Sequence, residues 1–219
     1  MVKTIGCLHA HHNNIPGIER TLGSDYRLVH YVDPGFIPWL NGKERQQHEL
    51  RIYMERQLEW IGGYPADAIL LTCTNYIAAM DEVRPRTPCP VAAIDEPFMT
   101  SLFESEGPVR ILFTNPATVQ GTMRRLRMFA DRRGVRPDVE ASVIERSFEL
   151  FMEGKEGEYL ELVAEHIRRQ PASRLAVGQL SMTAAAERIE RETGRRIEHP
   201  LKELKNHMDR LMGKTDPSP

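Results

Sequence analysis

The chain has 219 residues, 41% of them apolar and 27% charged, with a formal net charge of −2. That balance belongs to a globular chain with room for one large domain or two of about 100 residues. It argues against a general polyanion-binding surface, and no apolar run approaches the ~20 residues that a membrane-spanning helix needs, so neither nucleic acid nor membrane is an expected partner.

Met1-Val2-Lys3-Thr4-Ile5-Gly6 runs straight into a strand pattern, with no secretory signal expected. Thr4 to Leu8 reads as a strand, and His9-Ala10-His11-His12-Asn13-Asn14 as a polar loop. Asn14 suits the cap of a short helix from Ile15 to Leu22, with Pro16 in its first turn. Arg27 to Val32 is a second strand, closed by Asp33-Pro34-Gly35. Lys43 to Ile61 is a helix with Leu50, Met54, Leu58 and Ile61 on one stripe, stopped by Gly62-Gly63 and Pro65. The apolar run Ala68-Ile69-Leu70-Leu71 suits a buried parallel strand. It ends at Thr72-Cys73-Thr74-Asn75, before a helix beginning near Tyr76. A loop with Pro85, Pro88 and Pro90 leads to a fourth strand, Val91 to Ile94, closed by Asp95-Glu96-Pro97. A linker is placed near residues 98–108.

The pattern then restarts. Arg110 to Phe113, Val139 to Ile144, Leu175 to Gly178 and Arg196 to Glu198 read as strands. Helices are expected from Thr118 to Arg133, from Glu158 to Arg169, around Met182, Ala185 and Ile189, and along Leu201, Leu204, Met208 and Leu211. The segment Asp67–Cys73 aligns with Ser173–Gln179 at an offset of 106, and Ile94–Pro97 with Ile197–Pro200 at an offset of 103. The expectation is an α/β fold of two pseudo-symmetric lobes, residues 1–97 and 98–199. Each is a four-stranded, mostly parallel sheet flanked by helices, with an active-site cleft between the lobes. The helix at 200–213 is expected to pack back on the first lobe, and 214–219 to be a disordered tail.

Three cysteines, Cys7, Cys73 and Cys89, show no paired spacing, which fits free thiols and a cytoplasmic location. Cys73, at a strand end before a helix, is the candidate functional thiol; Cys89, between two prolines, reads as structural. Alternation on an extended segment puts Cys7, His9 and His11 on one side, a possible zinc set. The arginine-rich run from Arg124 to Arg136 shares its helix with an apolar stripe and reads as a solvated face. Trp39 and Trp60 read as packing residues.

Several of these stretches together resemble the aspartate/glutamate racemase superfamily, which includes amino-acid and hydantoin racemases, maleate isomerase and arylmalonate decarboxylase. Leu70-Leu71-Thr72-Cys73-Thr74-Asn75 is similar to the first cysteine motif. Ile94-Asp95-Glu96-Pro97 is similar to the strand end that follows it. Thr114-Asn115-Pro116-Ala117-Thr118 is similar to the loop opening the second lobe, and Val177-Gly178-Gln179-Leu180-Ser181-Met182 to the second site motif. The resemblance implies a homodimer with no cofactor, acting on a small carboxylate; no metal is expected, since a zinc site needs three or four ligands with a defined second shell. The resemblance also implies two cysteines, one removing the α-proton and the other returning one. The second cysteine position here carries Gln179, whose amide neither takes up nor releases a proton near neutral pH. Two-thiol racemisation is therefore not expected.

Cys73, Gln179 and His199 are the candidate catalytic residues, His199 because it titrates near neutrality and matches Glu96 in the repeat. His9, taken as the equivalent of Thr114, joins Asn14, Thr74, Asn75, Thr114, Thr118 and Ser181 as candidate substrate-binding residues. The function implied is a cofactor-independent isomerase or racemase-like enzyme. The alternatives are a non-catalytic carboxylate-binding protein and a single-thiol isomerase or decarboxylase.

Overall fold

The computed structural model describes residues 1–41, 47–80, 83, 85–104, 107–136, 138–171 and 174–213. The expected disordered tail and the start of the helix expected from Lys43 lie outside the described residues. The chain divides into two compact units, Met1–Glu96 with Glu203–Pro219, and Pro97–Lys202.

In the first unit the elements run β1 (Thr4–His9), α1 (Ile15–Leu22), β2 (Arg27–Val32), α2 (Phe36–Asn41), α3 (Gln47–Gly62), β3 (Ala68–Leu71), α4 (Thr74–Ala79) and β4 (Val91–Ala93). The four strands form one parallel sheet in the order β2-β1-β3-β4. All four residues of β3 are buried, as an unbroken apolar strand in a parallel sheet must be. Ile18 and Leu22 of α1 and Met54, Leu58 and Ile61 of α3 have no exposed surface. Each such side chain contributes roughly 1.5–3 kcal/mol by leaving water.

The second unit repeats the plan: α5 (Asp95–Phe103) at its start, then β5 (Val109–Phe113), α6 (Pro116–Arg132), β6 (Val139–Val143), α7 (Ser147–Met152), α8 (Glu156–Arg169), β7 (Arg174–Val177), α9 (Thr183–Thr193) and β8 (Ile197–Glu198). Its sheet is parallel in the order β6-β5-β7-β8. Strand alternation sends Leu112, Leu175 and Val177 into one core with α8 and α9. Ile111, Phe113 and Ala176 go into the other, with α5 and α6. The stretch expected as a linker is thus partly core: Phe98, Met99 and Leu102 of α5 are buried against β5. Asp95-Glu96-Pro97, read as a strand closure, is also a good first helical turn, acidic with proline near its start. The last helix, α10 (Leu204–Leu211), belongs with the first unit, where the Tyr26 hydroxyl donates to Asp209 at 2.5 Å.

Hydrogen-bonded register corrects two of the expected equivalences. Thr72 N–H donates to the Leu8 carbonyl at 3.1 Å, and Gly178 N–H to Leu112 at 2.8 Å. Leu8 therefore matches Leu112, and His9 matches Phe113 rather than Thr114. Val91 pairs with Ile69, and Ile197 with Leu175. The offset of 106 thus holds across the last strand as well, so His199 matches Ala93 and not Glu96. The shared proline of the two segments suggested an offset of 103, but a proline after a strand marks where the chain turns and not which rung of the ladder it left. One physical difference follows at once. Where Thr72 touches His9 in the first unit, Gly178 lies against Phe113 in the second; a Cβ on Gly178 would come within 2.5 Å of the Phe113 ring. No helix among the described residues is long and apolar enough to cross a membrane.

Candidate functional site

In the first unit the candidate residues collect at the carboxyl ends of β1 and β3. Cys73 is the N-cap residue of α4, in extended conformation, and its carbonyl accepts the Ile77 N–H at 3.0 Å. Its side chain is half-buried. Burial pushes the thiol pKa up, the nearby N–H groups of Tyr76 and Asn75 pull it back, and the Asp33 carboxylate pushes it up again. The net direction is upward, so the thiol form predominates at neutral pH. Thr74 and Asn75 were candidates for capping or ligand binding. Both are half-buried, and neither side chain has a hydrogen-bond partner among the described residues.

Asp33, in the sequence only part of the turn signal Asp33-Pro34-Gly35, belongs to the same neighbourhood. Its Oδ2 accepts from the hydroxyls of Tyr53 and Tyr76, the latter at 2.6 Å, and from Gln57 Nε2 at 2.6 Å. Burial pushes its pKa up, but these donors and the Gly35 N–H outweigh it and hold the carboxyl below its ordinary range. Tyr76 stacks on Phe36 with ring centroids 3.8 Å apart, and Trp39 on Tyr53 at 4.7 Å. Asp33 is therefore a fixed negative charge behind the thiol.

His9 does not present an edge to a ligand. It is fully buried, with Nδ1 2.8 Å from Thr72 Oγ1 and Nε2 2.9 Å from His30 Nδ1. Burial and then His30 lower its pKa to about 3, so it is neutral. Asn14 stands at the N-cap position of α1 but makes no cap bond; its Nδ2 donates to Thr72 Oγ1 at 3.4 Å. His11 leaves the β1 face, stacking on His12 and accepting the Asn13 N–H, so the set Cys7, His9 and His11 does not form.

In the second unit Gln179 is the centre of a polar network at the carboxyl end of β7. Its Oε1 accepts from the Thr114 N–H at 2.6 Å, the Thr114 hydroxyl at 2.9 Å and the Asn115 N–H at 2.9 Å. A backbone N–H can only donate, so these partners settle which amide atom is the oxygen. Nε2 is left with two donor hydrogens and no partner among the described residues. Tyr159 extends the network, donating to Ser181 Oγ at 2.9 Å and lying 3.4 Å from Thr114 Oγ1. Ser181 and Thr114 thus lie beside Gln179. Thr118, buried, donates to the Asn115 carbonyl at 2.8 Å and shapes the loop; the helix cap itself is Asn115, which accepts the Ala117 N–H.

His199 follows β8 on the same edge of the sheet. It is 5% exposed, with Nδ1 buried and unpartnered among the described residues, and Nε2 3.9 Å from Glu190. Burial and then Lys202 lower its pKa to about 4, against the opposing pull of Glu190 and Glu198. At neutral pH it can accept a proton but has none to give as imidazolium.

The fold has known counterparts. The aspartate racemase of Picrophilus torridus is 13% identical, with a TM-score of 0.69, and the match covers 97% of this chain and 95% of that one. A glutamate racemase from Francisella tularensis subsp. tularensis SCHU S4, solved with D-glutamate, is 12% identical with a TM-score of 0.66, covering 99% and 84%. The allantoin racemase of Klebsiella pneumoniae is 15% identical with a TM-score of 0.60, covering 96% and 93%. Neither a protein-family model nor a curated relative matches the chain. At these identities the likeness establishes the fold alone.

Proposed function

We propose that this chain, built on the fold of the aspartate/glutamate racemase superfamily, is a cofactor-independent isomerase or racemase-like enzyme acting on a small carboxylate, with Cys73 as its working thiol. The observation that carries this reading is the thiol itself. It is half-buried at a helix start, the N–H groups of Asn75 and Tyr76 offset part of the burial that keeps it protonated, and Thr74 and Asn75 beside it keep uncommitted polar side chains. A D-glutamate complex of a protein with this fold supports the substrate class.

Gln179 makes symmetrical two-thiol chemistry a poor fit. Its oxygen is occupied three times over, and its free Nε2–H bonds suit a substrate carboxylate or an enediolate oxygen. The proposed roles are therefore Cys73 as base or nucleophile and Gln179 as hydrogen-bond donor. His199, neutral, is a proton acceptor at most. Thr74, Asn75 and Ser181 are proposed to contact substrate, with Thr114 and Thr118 holding the loop that orients Gln179.

The test is exchange of the α-proton of small carboxylic and amino acids in heavy water, followed by NMR, with Cys73→Ala as control. Exchange lost in Cys73→Ala supports the reading. Ligand-induced thermal stabilisation without exchange favours a carboxylate-binding protein, the reading that Gln179 supports as the second choice.

A further inference from the structure

Cys7 and His9 alternate on β1, and His30 of β2 pairs with Cys7 in the parallel register, so all three side chains share one face of the sheet. Among the described residues they form the one group of three able to hold a metal ion, with one ligand atom from each lying within 4.8 Å of the others. Cys7 and His9 are fully buried, and His30 partly so.

What lies behind the two imidazoles is as informative as the imidazoles themselves. His30 Nε2 sits 2.9 Å from the Glu19 carboxylate, and His9 Nδ1 2.8 Å from the Thr72 hydroxyl, which also reaches the Leu8 carbonyl at 3.1 Å. Each outer nitrogen thus has an acceptor, and the inner nitrogens, His9 Nε2 and His30 Nδ1, face each other at 2.9 Å. An acceptor behind each inward-facing imidazole is how metal-binding histidines are held. Cys7 Sγ makes only a long contact, 3.9 Å, to the Ile5 carbonyl. Burial, and then Glu19, push its pKa up to about 12.

We propose that Cys7 Sγ, His9 Nε2 and His30 Nδ1 bind a borderline-soft divalent cation of the zinc type, with a water completing four-coordination. A thiolate with two imidazoles suits zinc or cobalt(II) and does not suit calcium or magnesium, which take oxygen ligands. Binding costs one proton: the Cys7 S–H bond breaks, sulfur bonds the cation, and the proton leaves to solvent. His9 shifts its own proton from Nε2 to Nδ1, where Thr72 accepts it, so both rings stay neutral. Glu19, whose side chain is half-exposed, marks the open side of the site. An occupied site would clamp β1 to β2 and fix Thr72, the residue before Cys73.

The test is a titration of the full chain, treated with chelator, using Co²⁺ and then Zn²⁺. The expected result is one equivalent bound, a thiolate-to-cobalt charge-transfer band in the near ultraviolet, release of one proton, and displacement by Zn²⁺. Cys7→Ser should abolish the band, and a Cys73→Ser/Cys89→Ser double variant should keep it. Glu19→Gln, at a surface position where folding is not at stake, should weaken Co²⁺ binding about 10–100-fold. No band in the parent chain, a band that survives Cys7→Ser, or a band lost in the double variant overturns the site. If Cys7→Ser does not fold, unchanged Co²⁺ affinity in Glu19→Gln overturns it. The four groups are then only a hydrogen-bond chain running from Thr72 through His9 and His30 to Glu19.

Discussion

Gln179 Oε1 accepts the Thr114 N–H at 2.6 Å, and that bond fixes which end of the Gln179 amide is left for any ligand. With the oxygen turned onto the 114–115 loop, the amide nitrogen is the atom left to act. Gln179→Glu separates the two ends of the side chain. A carboxylate would fill the same three-donor position, and charge-assisted bonds there would keep the fold. The outward donor, however, becomes an acceptor with negative charge. We expect melting within a few degrees of the parent, and at least tenfold weaker binding of small carboxylates, read by calorimetry or as a rise in KM. Unchanged binding would remove Gln179 from the substrate contacts.

Asp33 is a negative charge that raises the Cys73 pKa. In Asp33→Asn the thiolate should form at lower pH, because the opposing charge is gone while the Asn75 and Tyr76 N–H groups remain. The measurement is the pH profile of Cys73 alkylation by iodoacetamide, followed on the Cys73 peptide by mass spectrometry. The parent midpoint should lie above the ordinary thiol value of about 8.5, and the variant midpoint below the parent's. The same change weakens three hydrogen bonds to a charged acceptor and should cost about 1–3 kcal/mol in denaturant unfolding.

His9 and His199 are buried neutral, with pKa values lowered from 6.5 to about 3 and about 4. Below about pH 6.5 the unfolded chain binds protons that the folded chain refuses, so stability present at neutral pH is lost as pH falls toward those values. His199→Gln should flatten the acid limb between about pH 6.5 and 4, by about 3 kcal/mol at most. The limb that remains down to about pH 3 belongs to His9. Urea unfolding at a series of pH values gives both. An acid limb identical in the variant would show that His199 is not buried neutral.

Gly178→Ala places a Cβ within 2.5–2.9 Å of three atoms of the Phe113 ring. Phe113 is itself fully buried, so the ring cannot swing clear without disturbing the core around Leu126 and Ala176. The expected cost is roughly 1–3 kcal/mol of stability. Because Gln179 follows directly, ligand affinity should fall with it. Chemical denaturation and a binding titration on the same variant would check both.

The positions of the strands along the chain were legible in the sequence, because a parallel sheet buried on both faces writes each strand as an apolar run, whereas their order within each sheet was not. Ala68–Leu71 and Leu175–Val177 are legible for that reason. The short helices α2, α5 and α7 were not. Phe36–Asn41 follows Asp33-Pro34-Gly35 and α5 opens on Asp95-Glu96-Pro97; both sets of residues serve turns and helix starts alike. Cys73, Gln179 and Thr114 lay in recognisable motifs, so the residues around them could be named in advance. Asp33, Tyr53 and Gln57 beside Cys73, and Tyr159 beside Gln179, could not, since each reaches its own unit's cluster from an element distant in sequence. His30 is the clearest case. Its meeting with Cys7 exists only in the pairing of β1 with β2, which no periodicity within either strand reveals.

The contact of Gly178 with Phe113 has a counterpart in that of Thr72 with His9, a hydroxyl on an imidazole where the other has bare backbone on a phenyl ring. Neither can be converted to the other one residue at a time. Phe113→His alone sets an imidazole against a glycine that offers it no hydroxyl; Gly178→Thr alone drives a branched side chain into the phenyl ring. The joint change supplies the imidazole with a hydroxyl and removes the clash with the ring. A change at either position alone gives a less stable chain. The double variant should therefore be more stable than the sum of its two single variants allows.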